Sequence, residues 1–336
     1  MTPAAVPKLL FSHVMYRHGD RAPGKRYPND PHGQSYWSQG PMELSTKGML
    51  QQYLLGKYLR KRYYNLLSLQ YVYSEIYVRS SDKNRALQSA ASNLAGLYPP
   101  LSDQVWNSKL DWQPVPIHSV PVEDDYKLDF WSIGHIYDPL TCATEHGLQL
   151  PDWVNAVANI TGQTGFQLIV DLKNVAKNLK YNSYDKARLT GGFILGEILA
   201  RLKKRAEGAS TSSKEDIPTK MMMYSAHDDT VMALLYAMNV VKEPLLIPYA
   251  AAVFIDLYEK NGGHFVEVEY KNNTPPVVCK EKKCEPGDED SNGVMKFTIP
   301  GCPESMCPLQ TFVGALQKRT SYPKKNRDYD CGIKKF

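Results

Sequence analysis

The 336-residue sequence predicts an α/β sandwich around a mostly parallel sheet. Three observations carry that expectation. Apolar runs of strand length alternate with longer stretches of helical spacing, the order that parallel-sheet proteins show. Three of the predicted strands end in residues suited to chemistry, Arg17-His18, Arg79 and His227-Asp228, and α/β sheets bind ligands beyond their strands' carboxyl ends. The composition, 43% hydrophobic and 22% charged, is that of an ordinary globular protein and excludes a disordered chain.

Element by element, residues 8–16 read as a buried strand that ends at Arg17. Residues 22–41, rich in Gly, Pro, Asn and Asp, read as a long loop. A helix starts near Ser45, with Leu50, Tyr53, Leu54, Tyr58 and Leu66 at helical spacing as its apolar side. A second strand covers 71–79. Ser81 or Asp82 is the expected cap of a helix that runs through Ala90 and Leu94 until Pro99-Pro100 stops it. Residues 101–155 are less regular. Helices follow over 165–180 and 185–205, then an exposed loop from Gly208 to Pro218. Lys220–Ala226 reads as a third strand whose Met221-Met222-Met223 run is buried, and a helix begins near Asp228 or Asp229. Residues 250–258 and 264–270 read as a strand pair across the turn Asn261-Gly262-Gly263. From 271 onward the expectation is cysteine-tied loop with one short helix near 308–318. There is no internal repeat and no low-complexity tract.

A net charge of +5 with no basic arm argues against nucleic acid as a partner, while a mild cation excess suits anionic substrates. No apolar run is long enough to span a membrane. Met1–Tyr16 lacks the shape of a signal peptide, its apolar run being broken at Ser12-His13. The six cysteines favour a secretory route nonetheless. Cys302/Cys307 and Cys279/Cys284 are close pairs, Cys142 and Cys331 remain, and the connectivity stays open among 15. The alternatives are free thiols or a zinc site built from the two close pairs; zinc ranks low because the spacing is wider than the common CxxC knuckle, although the zinc range admits it, and the Pro and Gly around both pairs suit disulfide-closed loops. The sequons at Asn159 and Asn272 agree with secretion, although sequons are frequent by chance.

In Arg17-His18-Gly19-Asp20-Arg21-Ala22-Pro23 an imidazole stands between two guanidiniums just after a strand. Arginine's planar fork matches phosphate oxygens. A histidine in such a cluster attacks phosphorus when its attacking nitrogen is unprotonated and a carbonyl fixes the other. Gly19 permits a tight turn and close ligand approach. Arg79 and His227 are candidates to bind the phosphoryl oxygens. Asp228 is a candidate general acid, which calls for acidic pH or a raised pKa. Singly, each has a plainer explanation: Arg79 pairs with Asp82 or Glu75, His227 is a core histidine, Asp228 a helix cap. Together at three strand ends they favour phosphate chemistry. His13 is expected to be buried structure, and His32, His118, His135, His146 and His264 have no catalytic partner in view.

These blocks resemble the histidine acid phosphatase family, the branch of the histidine phosphatase superfamily that includes prostatic and lysosomal acid phosphatases. The RHGxRxP motif is Arg17–Pro23; a second block looks like Tyr77–Arg85 followed by Ser89-Ala90 and Leu97–Pro100; a third is similar to Met223–Asp228. The resemblance runs from about residue 8 to 331. It implies a phosphoglycerate mutase-like three-layer fold, with a catalytic domain over 1–100 and 185–336 and a helical cap over 101–184. It implies His18 as the phosphorylated nucleophile, Arg17, Arg21, Arg79 and His227 as the phosphoryl cage, Asp228 as proton donor, and no cofactor or metal. Substrates would be small-molecule or protein phosphomonoesters, the location extracellular or lysosomal, and a homodimer remains open. The loop Cys302–Cys307 resembles one that the family closes by a disulfide. Cys279–Cys284 is not part of the family pattern, and Cys142 and Cys331, both without their usual partners, either pair with each other or stay free. Roughly forty residues of the usual cap are missing around 120–136, which would open the pocket and impair stability or selectivity. The rivals are a phytase-like or lysophosphatidate phosphatase-like enzyme and a secreted binding protein without turnover.

Overall fold

The computed structural model describes residues 6–25, 27, 30, 32, 36–120, 133–158, 161–208, 218–241, 245–272, 277–280, 283–286, 293–302 and 304–323. Along the chain come β1 (Lys8–Arg17), α1 (Thr46–Arg62), β2 (Ile76–Ser81), α2 (Asn84–Leu97), β3 (His118–Val120), α3 (Ile133–Glu145), α4 (Asp152–Asn155) and α5 (Gly165–Tyr181). Then follow α6 (Tyr184–Ala206), β4 (Met221–Ala226), α7 (Asp228–Ala237), β5 (Ala252–Lys260), β6 (Gly263–Lys271), β7 (Val277–Lys280), β8 (Lys283–Pro286), β9 (Val294–Phe297), β10 (Cys307–Pro308) and α8 (Leu309–Leu316).

The fold is α/β. The main sheet runs β10-β6-β5-β1-β4-β2-β3, with β9 also on β6. Strands β1, β4, β2 and β3 are parallel and carry the strand ends singled out by the sequence. The β5/β6 hairpin extends them antiparallel, turning at Asn261 and Gly262 with φ of 51° and 73°, the left-handed backbone that an Asn-Gly turn supplies. Because helices cover both faces, the central strands are apolar on both sides rather than alternating. Phe11, Met15, Met222 and Tyr224 pack with Leu195, Ile198, Leu199 and Leu202 of α6 and with α7 and α8. On the other face Val14, Tyr16, Met221 and Met223 meet Leu55 and Leu59 of α1 and Leu94 and Leu97 of α2. The methionine run is therefore buried core divided between two layers.

Helix α1 buries a different side from the one its apolar spacing suggests. Gly48, Gln51, Gln52, Leu55, Gly56 and Leu59 face inward, and Tyr53 is exposed. The reason is backbone contact. A Cβ on Gly56 would lie 1.9 Å from the Asn93 carbonyl oxygen, and one on Gly96 would lie 2.1 Å from that of Tyr53. The glycines let α1 and α2 touch, which turns the helix away from its larger apolar residues. Helix α2 begins one or two residues later than expected, with Lys83 at its N-cap and no side-chain cap bond; Ser81 ends β2 and is used elsewhere. In the tail, where the sequence reads as loop, β7 to β10 form.

Residues 118–120 join the main sheet as β3, so the stretch 101–184 is not wholly cap. Helices α3 to α5 instead surround two small apolar clusters, one with Leu140, Val154 and Ile169, the other with Ala22, Trp37 and Cys142. Cys302 and Cys307 are joined by a disulfide. Cys284 is disulfide-bonded and lies opposite Cys279 in the β7/β8 register; the Cys279 side chain is outside the described residues. Cys142 is free and buried, so no Cys142–Cys331 bond forms. Its Sγ lies 3.3 Å from the Arg21 carbonyl oxygen and 3.8 Å from the Tyr249 hydroxyl. Cys331 and Asn159 lie outside the described residues. Asn272 is half-buried, its N–H bonded to the Gly293 carbonyl at 2.9 Å. Among the described residues no helix is long and apolar enough to cross a membrane.

Candidate active site

The parallel register places Arg17 beside Ala226 and Ser80 beside Ser225, so His18, Ser81 and His227 emerge along one edge of the sheet. His18 is buried, with its N–H bonded to the Ala226 carbonyl at 3.0 Å. Its Nδ1 lies 2.7 Å from the Gly19 carbonyl oxygen. A carbonyl only accepts, so Nδ1 carries the proton and Nε2 presents a lone pair. Burial, then the charges of Arg17, His227, Arg85 and Arg21, hold the ring's pKa well below the ordinary histidine value. The nucleophilic form thus persists in acid. The His227 ring stands edge-on to it at 5.4 Å.

Gly19 is required by contact with protein as well as by any ligand. A Cβ there would lie 2.3 Å from the Gly48 carbonyl oxygen, and one on Gly48 would lie 2.1 Å from that of Asp20. The motif loop is thus pressed onto the first turn of α1. The buried glutamines of α1 brace it: Gln51 Oε1 accepts from the Asp20 N–H at 2.8 Å, and Gln52 Nε2 donates to the Arg17 carbonyl at 2.8 Å.

Three guanidiniums converge on His18. Arg17 donates to the Ile247 carbonyl at 2.6 Å and stacks 4.0 Å over the Tyr249 ring. Arg21 makes a two-pronged pair with Asp138 of α3 at 2.7 and 3.0 Å. The third is Arg85, on the first turn of α2, and not Arg79. Arg85 approaches His227 Nδ1 at 3.4 Å; an arginine only donates, so Nδ1 accepts and Nε2–H donates to Ser81 Oγ at 2.7 Å. Burial and then Arg21 lower the Arg85 pKa to about 10, which leaves it charged in acid. Arg79 points into the α6 layer, where it lies 4.9 Å from the Tyr224 ring centre and pairs with Glu197 at 2.8 Å. Its place two residues before the strand end, on the face opposite Val78, sends it there.

Residues 8–158 and 140–271 match the histidine phosphatase superfamily (branch 2). Prostatic acid phosphatase of Rattus norvegicus is 33% identical over 365 residues, covering 94% of this chain and 88% of that protein. Lysosomal acid phosphatase of Rattus norvegicus is 35% identical over 363 residues, 93% and 78% of the two chains. The chain belongs to the histidine phosphatase superfamily, branch 2. Its class of reaction is hydrolysis of phosphoric monoesters. The fold agrees with the apo phytase of Hafnia alvei, at a TM-score of 0.68 and 15% identity over 97% of this chain and 99% of that one.

In this histidine phosphatase Asp228 opens α7 directly after His227. Its carboxylate is bound by Lys177 of α5 at 2.7 Å. Burial works against the charge, but Lys177 and then Arg17 hold the pKa well below the usual carboxylate value. The resting group is therefore ionised, opposite to the raised pKa that general-acid duty suggested. Sequence reasoning missed Arg85, Asp138, Lys177 and the pairing of His146 with Asp20 at 2.6 Å. Arg85 had a signal, since it falls at the first turn of a helix that follows a site strand. The other three reach in from the 133–181 stretch and had no local signal. His13 is fully buried, stacked on Tyr224.

Proposed function

We propose that the chain is an acid phosphatase that works through a phosphohistidine on His18. Nε2 attacks phosphorus while the ester oxygen leaves from the opposite side. Arg17, Arg21 and Arg85 hold the non-bridging oxygens and neutralise the charge spread over them, and His227 joins them when a phosphoryl oxygen replaces Ser81 Oγ as the acceptor of its Nε2–H. Asp228 gives its proton to the departing alkoxide. Water then attacks the phosphohistidine, the P–N bond breaks, and the Asp228 carboxylate takes the water's proton. The resting ionisation of Asp228 fits acidic operation: with a second phosphate pKa near ~6, a monoanionic ester carries a proton into the cage, where this carboxylate is the base nearest the leaving side. Acid phosphatases similar over most of the chain support this substrate class and a secretory or lysosomal setting.

The observation that carries the assignment is the His18 tautomer: an unprotonated Nε2 inside a ring of guanidiniums, with Nδ1 tied to the Gly19 carbonyl. The test is phosphate release across pH for wild type and His18→Ala, with acid-quenched labelling by a radioactive phosphomonoester. Label retained on the wild-type chain and absent from His18→Ala is expected. Folded wild-type protein that turns over substrate without becoming labelled would refute the covalent route.

A further inference from the structure

The Lys177 ammonium is a buried cation that the phosphoryl cage does not use. It lies on α5, outside the catalytic sheet, and reaches across to the start of α7. There it donates to Asp228 Oδ2 at 2.7 Å and also binds Asp229 Oδ1. Tyr181, one turn further along α5, donates to the same Asp229 oxygen at 3.0 Å, and Lys180 adds a longer contact at 3.6 Å. Asp229 is thus anchored, while Asp228 is held by one oxygen only. Its Oδ1 has no hydrogen bond among the described residues.

We propose that Lys177 is the positioning residue for proton transfer: by occupying Oδ2 of Asp228 it turns Oδ1 toward the bond that breaks and makes Oδ1 the oxygen that carries the proton. The proposal rests on the assignment of Asp228 as proton donor and goes beyond it. A carboxylic acid with two free, equivalent oxygens presents its proton in several directions; one oxygen pinned by an ammonium leaves one productive direction. The pin also has an electrostatic effect. Asp228 faces Lys177, Lys173 and Tyr181 from α5, Arg17 and His18 from the end of β1, Arg85 from α2, Tyr137 from α3, and Asp229 beside it. Of these cations Lys177 alone touches the carboxylate, so it makes proton release to the leaving oxygen favourable once phosphorus has begun to transfer.

The test compares two substrates whose leaving groups differ in their need for a proton. Nitrophenolate departs without one, whereas a primary alkoxide does not. In Lys177→Met, kcat/KM for a simple alkyl phosphate should fall about 30-fold and that for nitrophenyl phosphate by no more than about threefold. The second readout is the Asp228 carboxyl in 13C-aspartate-labelled, phosphate-free protein, whose titration midpoint should rise by about one pH unit or more. Lys177→Arg should restore both values toward wild type. If the methionine variant does not fold, Lys177→Gln, which keeps a donor and removes the charge, carries the same two measurements. Equal losses for both esters, or an unmoved midpoint, would overturn the role of Lys177. Those results leave the nucleophile untouched, whereas unlabelled wild type or an active His18→Ala would sink the catalytic assignment itself.

Discussion

Arg85 and Arg79 lie six positions apart, and only the first faces His18. Replacing each by methionine keeps most of the stem and removes the guanidinium. Arg85→Met removes a charged donor aimed at the phosphoryl oxygens and the donor that now holds His227 Nδ1 at 3.4 Å. One such donor in a water-poor site contributes about 3 kcal/mol to the transition state. That corresponds to a loss of about 150-fold in kcat/KM. Inhibition by inorganic phosphate should weaken as well, because the product uses the same oxygens. Arg79→Met breaks a pair with Glu197 that is partly open to solvent, with side chains 27% and 15% exposed. Arg201 remains 4.0 Å from the same carboxylate. Pairs of this kind contribute about 1 kcal/mol or less, so the melt should shift slightly and kcat/KM should stay within about threefold. Initial rates of phosphate release in acid, with denaturant melts of both variants, decide the matter. Arg79→Met losing as much activity as Arg85→Met would refute the placement of the cage.

The other expectations concern protonation, the buried ion cluster and the motif loop. In 15N-resolved NMR of the imidazoles, His18 should appear as the Nδ1–H tautomer and stay neutral well below its ordinary pKa, since burial and Arg17 disfavour the cation; a doubly protonated ring at pH ~6 would contradict this. His13 is held low too, by burial and then Arg201. The unfolded chain therefore takes up protons first, stability is full above pH ~6.5 and falls as pH drops below it, and urea melts in that window should show the slope. Arg62 binds Asp256 at 2.9 Å and also Glu269, in a nearly dry setting. Arg62→Met removes the cation of buried Asp256, leaving it only the Ser12 and Tyr63 hydroxyls, and leaves Glu269 with Lys296 at 3.5 Å; it should cost about 3 kcal/mol by denaturant titration. Gly48→Ala puts a Cβ 2.1 Å from the Asp20 carbonyl oxygen; it should destabilise by about 1–3 kcal/mol and lower kcat even where the protein stays folded.

The parts of the site written in contiguous residues were legible. Arg17, His18 and Arg21 follow one strand, and His227-Asp228 another, so strand ends alone bring them to one edge. The expectation for Arg79 did not take into account that a strand residue's direction depends on its alternation. Tyr77 and Arg79 share the α6 side, whereas Ile76 and Val78 pack toward α1 and α2. The face of α1 was illegible for a related reason. Its inward side is defined by Gly48, Gly56 and two glutamines, residues that carry no hydrophobic signal and matter through backbone approach and hydrogen bonds. Asp138 and Lys177 were invisible since their value comes from partners 117 and 51 residues away.

Those long-range partners bear on the expectation of a shortened cap. The alignment with the rat prostatic enzyme runs over 365 positions, more than the 336 residues of this chain, so the relative carries segments that this one lacks. An open pocket and a weakened fold were the expectation. Yet four parts of the catalytic edge are tied to the 133–181 stretch, three by ion pairs and Asp20 by a hydrogen-bonded histidine. Asp138 holds Arg21, His146 holds Asp20, Glu145 holds Lys47 at the foot of the motif loop, and Lys177 holds Asp228 and Asp229. Each pair has one largely buried member, so it contributes little net stability but penalises an arrangement that leaves that member alone. What the 133–181 stretch supplies is therefore definition of the site more than a wall around it. Losing outer segments leaves those four ties in place, so the chemical step should be spared and substrate discrimination should bear the change. The corresponding measurement is a comparison of kcat and KM over phosphomonoesters of increasing size: a conserved kcat with a KM that no longer depends on leaving-group bulk supports this division, and a uniformly low kcat on folded protein contradicts it.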